Sequence, residues 1–279
     1  MINIKFYSIY EKAEDYKGTP NGFFAYWYHQ VLNLDEADIA IFTDFKVTER
    51  ETIPPTKAKK YALMIEPRMF DGIKEQYEYV EKNWNKFDII YTHDSILLNK
   101  CPNAKLLYWG KVWAWSDKQK TKNISTISSD KTWCPLHKKR LEIVRKAAAE
   151  GLMDCYGTFD GGKHVTTEEA HQDYRFAFVM ENYIDDYWFT EKILNCFANK
   201  VVPFYYGARK IGDYFNMNGI IILDKPEDIF TAIKDFDFET EYNKRLQAVN
   251  ENYERVKFFN DFWQVLYNMY KKDFEKQGE

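Results

Sequence analysis

The run Tyr174–Gly207, "YRFAFVMENYIDDYWFTEKILNCFANKVVPFYYG", decides the fold. Phe176–Glu181 is an apolar stretch of strand type, Thr190–Asn199 carries a helical pattern, and Val201–Tyr206 is again of strand type. A strand, a helix and a strand in that order make a βαβ unit, with two parallel strands and a helix laid across them. The connection between Glu181 and Lys192 holds more chemistry than a turn requires: carboxylates, an amide, aromatics and a lysine. Thr190 suits the N-cap of the helix, since its hydroxyl can accept from free backbone N–H groups. Glu191 then takes the first helical position and Lys192 the second. A cation there faces the positive end of the helix dipole, which costs about 0.3–1 kcal/mol. An anionic ligand removes that cost, and helix N-termini bind phosphate through the same N–H groups. The ordinary alternative is a capped helix whose lysine is solvated or paired with Asp185 or Asp186.

The same rhythm extends in both directions. Upstream, Asn3–Ser8, Asp38–Phe42, Tyr61–Glu66, Asp88–Thr92 and Lys105–Tyr108 read as strands buried on both faces, with helices at Gly22–Leu32 and Ile73–Asn83. The polar segment Ser116–Asp130 reads as a connection that leads into a short strand and marks a domain boundary. Beyond it follow a helix over Lys138–Glu150 stopped by Gly151, a strand at Met153–Tyr156, the decisive run, a strand at Ile220–Leu223, and a helix at Glu227–Asp235. From Glu241 the chain is helical to near its end, with a break near Asn250. These readings place an N-terminal Rossmann-like domain at 1–117, a second at 118–250, and a C-terminal helix at 251–279 packing across both. Ligands of open parallel sheets bind beyond the carboxyl ends of the strands. The groups expected there, facing one cleft, are Glu66-Pro67-Arg68, His93-Asp94 and Glu181-Asn182.

Composition narrows the function classes. The 279 residues suffice for two domains, and the hydrophobic share of 45% suffices for two cores. Aromatics reach 18%, which places many Tyr and Trp side chains at clefts and interfaces. A net charge of −4 provides no field for nucleic acid, so an anionic ligand needs a local basic pocket. Cys101, Cys134, Cys155 and Cys196 form no zinc-type pair and read as reduced thiols of a cytoplasmic protein. No apolar run is long enough to span a membrane. Asp235-Phe236-Asp237 spells the carboxylate pair of metal-dependent transferases, but late in the chain, and reads as a solvated turn. Asp35–Asp38, "DEAD", precedes a strand and has no phosphate-binding lysine loop before it. Trp109, Trp113 and Trp115 fit either acceptor stacking or packing between the domains.

The decisive run resembles the donor-binding motif of the α-1,3-fucosyltransferases, family 10 of the glycosyltransferases. The matching positions are Phe178, Glu181-Asn182, Thr190-Glu191-Lys192, Val202-Pro203 and Gly207. Weaker resemblance covers Ser128–Gly157, where Arg140 opens a helix that leads to Tyr-Gly, and Lys59–Asp94, where Glu66 is the matching glutamate. The resemblance implies a GT-B fold and inverting transfer of fucose from GDP-fucose to a glycan hydroxyl. It implies that Lys192 and Arg140 bind the diphosphate, that Glu191 meets the ribose hydroxyls or the cationic sugar, and that Asn182 bonds to the nucleotide. Thr190 and Trp188 complete the donor side, Trp188 standing where the family usually has Tyr. Glu66 is the implied catalytic base, with Arg68, His93 and Asp94 as candidate acceptor-side groups. Arg140 and Lys192 would serve in place of a metal, so no metal or other cofactor is expected. The rivals are the same fold with another GDP-linked sugar, a non-catalytic nucleotide-sugar or glycan-binding module, and a glycosidase using carboxylates such as Glu66 and Glu181.

Overall fold

A computed structural model describes residues 2–8 and 28–275. Packing divides the chain into two units, Met1–Trp109 joined by Asp261–Glu279, and Gly110–Asn260. The sequence-based boundaries at 117/118 and 250/251 therefore differ from the packing boundaries. The first break comes earlier because the segment after Gly110 already lies along the second unit. There Trp113 N donates to Asn195 Oδ1 (2.8 Å), and Asn199 Nδ2 donates to the Ala114 carbonyl (2.9 Å).

The first unit is a six-stranded, all-parallel sheet in the order β2-β1-β3-β4-β5-β6. Its strands are β1 Ile2–Tyr7, β2 Tyr28–Gln30, β3 Ile39–Thr43, β4 Lys59–Met64, β5 Ile89–Thr92 and β6 Ala104–Leu106. The expected helix at Gly22–Leu32 falls partly on residues outside those described, and its described part contains β2. Side chains alternate between two cores, as the period of a strand dictates. Ile4, Phe6, Ile41, Tyr61, Leu63 and Tyr91 face one side. Phe42, Ala62, Met64 and Ile90 face the other, against Tyr77 and Val80 of α1 (Lys74–Asn83) and Leu97 of α2 (Ser95–Lys100).

The first face is covered by the end of the chain. Phe262, Trp263 and Leu266, together with Phe274, pack onto it. Asp273 fastens that cover: its carboxylate accepts from Tyr91 Oη (2.8 Å) and Lys105 Nζ (2.6 and 2.7 Å), and its carbonyl accepts from Tyr61 Oη (2.6 Å).

The second unit has a five-stranded parallel sheet in the order β11-β10-β9-β7-β8. These strands are β7 Lys122–Ile127, β8 Asp154–Tyr156, β9 Tyr174–Met180, β10 Val202–Tyr206 and β11 Ile221–Ile222. Its helices are α3 Pro135–Ala149, α4 Thr167–His171, α5 Glu191–Ala198, α6 Asp228–Ala232 and α7 Phe238–Val256. The helix α3 begins three residues before the expected Lys138, with Cys134 as N-cap and Pro135 at the position where its missing N–H costs nothing. No break occurs at Asn250. The chain leaves α7 at Val256, passes a 3₁₀ turn over Lys257–Phe259, and restarts at α8, Phe262–Tyr270, capped by Asp261. Asp237 of the Asp-Phe-Asp spelling is the N-cap of α7 and accepts from Thr240 N (3.1 Å).

Candidate functional site

In the second unit the chemistry gathers where β9 ends and α5 begins. β9 delivers Glu181, which is completely buried. A carboxylate there needs hydrogen bonds, and Thr190 supplies them. Its backbone N–H donates to Oε1 (2.9 Å), and its hydroxyl lies 3.1 and 2.9 Å from the two oxygens. The same hydroxyl accepts from Lys192 N (3.4 Å) and Lys192 Nζ (2.9 Å). Lys192 Nζ stands 3.3 Å from both Glu181 Oε2 and Glu191 Oε1. Thr190 is thus at once the cap of α5 and the joint between a buried acid and a cation.

The alternative pairing of Lys192 with Asp185 or Asp186 is not what the structure shows. The Asp186 carboxylate faces Arg209 (3.5 Å) and Lys210 (3.3 Å), and Asp185 Oδ1 accepts from the Asp186 N–H (2.8 Å). The variable loop is closed by its own aromatic: Trp188 is buried, and its indole N–H donates to Asn182 Oδ1 (2.9 Å). The Asn182 carbonyl accepts from Cys134 Sγ (3.4 Å), which ties this loop to the start of α3.

Arg140 projects from α3 and is buried, with Nε donating to Ser128 Oγ (3.1 Å) at the end of β7. Burial pulls the guanidinium below the usual arginine range, opposed by the charges of Glu181 and Glu191. Burial likewise works against the Lys192 ammonium, but Glu181 and Glu191 outweigh it and raise its pKa. Glu181 is raised above the usual carboxylate range by burial, with Lys192 pulling against that rise. Burial, followed by the charges of Arg140 and Lys192, holds His137 at about 4, so it is neutral at physiological pH. Two cations and two carboxylates thus share one corner, and the helix N-terminus adds positive potential.

Beside this corner an open depression of about 460 Å³ is lined by Cys155–Gly157, the glycine-rich turn Phe159–Lys163 and Val165. Gly157 has φ +107°, and a Cβ there would lie 2.1 Å from the Ser128 carbonyl. Only glycine lets β8 leave the sheet against the residue that holds Arg140.

In the first unit β4 stops at Met64, two residues short of Glu66, which occupies a bend. Its backbone is held on both sides. The Glu66 N–H donates to Asp44 Oδ1 (3.0 Å), which also accepts from Ile65 N (2.7 Å), and the Glu66 carbonyl accepts from Tyr77 Oη (2.9 Å). Asp44 adopts φ +33° just past β3, and its carboxyl is pushed up to about 7 by desolvation, with Glu66 adding repulsion.

The candidate acceptor-side groups Arg68 and Asp94 are committed to each other. Arg68 Nε and Nη2 grip the two oxygens of Asp94 (2.7 and 2.8 Å), and Nη1 bonds Glu81 (2.9 Å). Asp94 is buried and caps α2 through Leu97 N (2.8 Å). His93 is completely buried, with Nε2 3.5 Å from Tyr77 Oη. Asp94 and His93 are buried, and Arg68 is partly exposed while it pairs with Asp94 and Glu81. Sequence reasoning missed Asp44, Ser128, Tyr77 and Glu81 as the partners that fix these groups. It placed Glu181 at a strand end facing the cleft without a donor-side role, whereas the structure buries that side chain completely.

Comparison with known proteins adds the following. The profile of glycosyltransferase family 10 (fucosyltransferase), C-terminal part, matches residues 117–279. No curated protein sequence matches the chain. Among solved structures, an α1,3-fucosyltransferase with GDP-fucose superposes with a TM-score of 0.62 at 16% identity, covering 100% of this chain and 91% of that one. The same enzyme type with GDP gives 0.61 at 14%, covering 99% and 91%. TarM gives 0.56 at 14%, covering 85% of this chain and 55% of its own. At these identities the likeness concerns the fold: two parallel sheets with helices, the α/β class of GT-B glycosyltransferases.

Proposed function

The chain belongs to glycosyltransferase family 10, the fucosyltransferases, and we propose that it transfers fucose from GDP-fucose to a hydroxyl of a glycan with inversion at the anomeric carbon. The observation that carries this reading is the corner at α5, where Lys192 and Arg140 meet a helix N-terminus in a buried setting. That is the equipment for a departing diphosphate. Lys192 and Arg140 take its charge, and Thr190 fixes the helix end. Glu191 meets the ribose or the positive sugar. Asn182, oriented by Trp188, bonds to the nucleotide.

In the proposed reaction the acceptor oxygen forms a bond to the anomeric carbon as the bond from that carbon to the diphosphate oxygen breaks. GDP leaves with the bonding pair, and Glu66 takes the acceptor's proton. The bend that carries Glu66 is anchored by Asp44 and Tyr77, which suits a base that must hold its place. The two cations perform the electrostatic work that a divalent ion performs in other transferases, so chelation should leave activity intact. Cys101, Cys134, Cys155 and Cys196 are all thiols, and the proposal extends to a cytoplasmic location. Among the described residues no helix is long and apolar enough to cross a membrane.

The test is a donor screen. GDP-fucose, other GDP-sugars and UDP-sugars are compared by thermal shift and by product mass with a panel of glycan acceptors, with and without EDTA. Stabilisation and transfer specific to GDP-fucose support the reading. Preference for another GDP-sugar replaces the donor, and stabilisation without transfer for any acceptor supports a binding module. Activity abolished by EDTA and restored by Mn²⁺ overturns the metal-free assignment.

A further inference from the structure

Glu181 is the one carboxylate of the corner that no ligand can reach. Its exposure is 0%, whereas the Lys192 side chain keeps 26%. Both of its oxygens are taken by Thr190, and one also faces the lysine amine. We propose that Glu181 is a positioning residue of the donor site. It never touches the donor, but it holds Lys192 over the first turn of α5 and keeps it an ammonium ion while no diphosphate is bound. This rests on the donor reading above.

The argument is electrostatic. Burial opposes the Lys192 charge most strongly, and Arg140 and the positive end of the helix add to that opposition. Glu181 and Glu191 are the groups that favour it. Glu191 is itself half-buried and is a proposed contact of the donor, so Glu181 is the counter-charge that stays when the donor binds. The other groups facing Glu181 are Thr190, Arg140, Cys196 and Tyr205. Burial raises the Cys196 thiol and the Tyr205 phenol, so neither titrates near neutral pH.

Without Glu181 the lysine loses its proton more easily, as buried lysines do. The diphosphate binds the ammonium form. Above the new lysine pKa, donor binding must then take up a proton, and affinity falls as pH rises, by up to about tenfold per pH unit.

The experiment measures GDP affinity by calorimetry from about pH 7.5, where the terminal phosphate is ionised, to about pH 9.5. Three proteins are compared: native, Glu181→Gln, and Glu181→Gln with Lys192→Arg, whose guanidinium keeps its proton. The expected result is a shallow profile for the native protein, a loss of at least fivefold across the window for Glu181→Gln, and recovery of the shallow profile in the double variant. A Glu181→Gln profile parallel to the native one, with or without a uniform loss of affinity, shows that Glu181 is only structural and overturns the proposal. If native protein does not bind GDP, the donor reading falls, and this inference with it. If Glu181→Gln does not fold, the native protein decides. The ¹³Cε resonance of Lys192, assigned with Lys192→Arg, should titrate above the usual lysine value, and titration below that value overturns the proposal.

Discussion

Glu66→Gln separates the proposed chemistry from the architecture. The Glu66 backbone is held through its N–H, which donates to Asp44, and through its carbonyl, which accepts from Tyr77. A glutamine keeps both and keeps the side-chain shape, so the bend should survive. What is lost is a group able to accept a proton. Positioned proton transfer is worth about 10²–10⁴ in rate, or about 2.7–5.4 kcal/mol of barrier. Turnover with GDP-fucose should fall by that factor. GDP affinity should stay within about threefold, because the diphosphate is assigned to α3 and α5 of the other unit, and a remote uniform effect on binding would lower affinity and rate together. Removing the Glu66 charge should also ease the ionisation of Asp44, which Glu66 opposes. The assay pairs the initial rate with GDP calorimetry on one preparation whose near-ultraviolet circular dichroism matches the native protein. Turnover within a few-fold of native would falsify the role of Glu66 as base. Asp94 is a poor replacement, since Arg68 and the α2 cap already consume it. Collapse of GDP binding along with rate would show that Glu66 supports the fold instead.

Lys192→Ala and Arg140→Ala should each weaken GDP binding by about 1.5–3 kcal/mol, or about 10- to 150-fold, the range for charge-assisted hydrogen bonds, and unchanged calorimetric affinity in both would remove them from the site. Asp44 holds its proton more tightly folded (about 7) than in an unfolded chain, so its contribution to stability is full at acid pH and is lost as pH rises from about 4 to 7. Asp44→Asn should therefore flatten the urea-unfolding stability profile in that window by about 1 kcal/mol per pH unit or less, and an unchanged slope refutes the shift. Gly157→Ala should destabilise by about 2–4 kcal/mol through the clash with Ser128 and should also weaken GDP binding, since Ser128 holds Arg140. Loss of stability with native GDP affinity would break that link. Asp273→Ala should cost about 2–4 kcal/mol by stranding Tyr91 and Lys105. Hydrogen exchange should show the loss in β4 and β5, and protection there equal to native would count against the clamp.

Much of this was legible because the run at Tyr174–Gly207 is locally determined. An apolar strand, a threonine cap and a helix with a buried face leave few alternatives, and the observed β9, α5 and β10 fall within a residue or two of the reading. The pairing around Arg68 was not legible. Its partners Glu81 and Asp94 lie 13 and 26 residues away, and only the folded sheet brings them together. The same holds for Asp44 and Glu66, which are joined through adjacent strand ends. Which sheet the last helix covers was not legible, for a further reason. A broad apolar face states that a helix is buried but not against which sheet. The end of α7 was misjudged because Asn250 is a weak helix former that the surrounding packing overrides, whereas Asp261 caps α8 and restarts the chain.

The fastening of Asp261–Phe274 onto the first sheet has a consequence for how the polypeptide is made. The strands β1–β6 are synthesised before Asp261–Phe274, and until those residues follow, the sheet exposes the apolar face that they cover. The second unit, whose residues are contiguous, can fold while that face still waits. The first unit closes only after a long loop has been paid for in entropy, a cost that grows slowly with length but must be met before any of the clamp's contacts form. A nascent chain therefore carries an uncovered β-surface while the whole second unit is made. A chain cut before Asp261 leaves that surface exposed, as a template for aggregation.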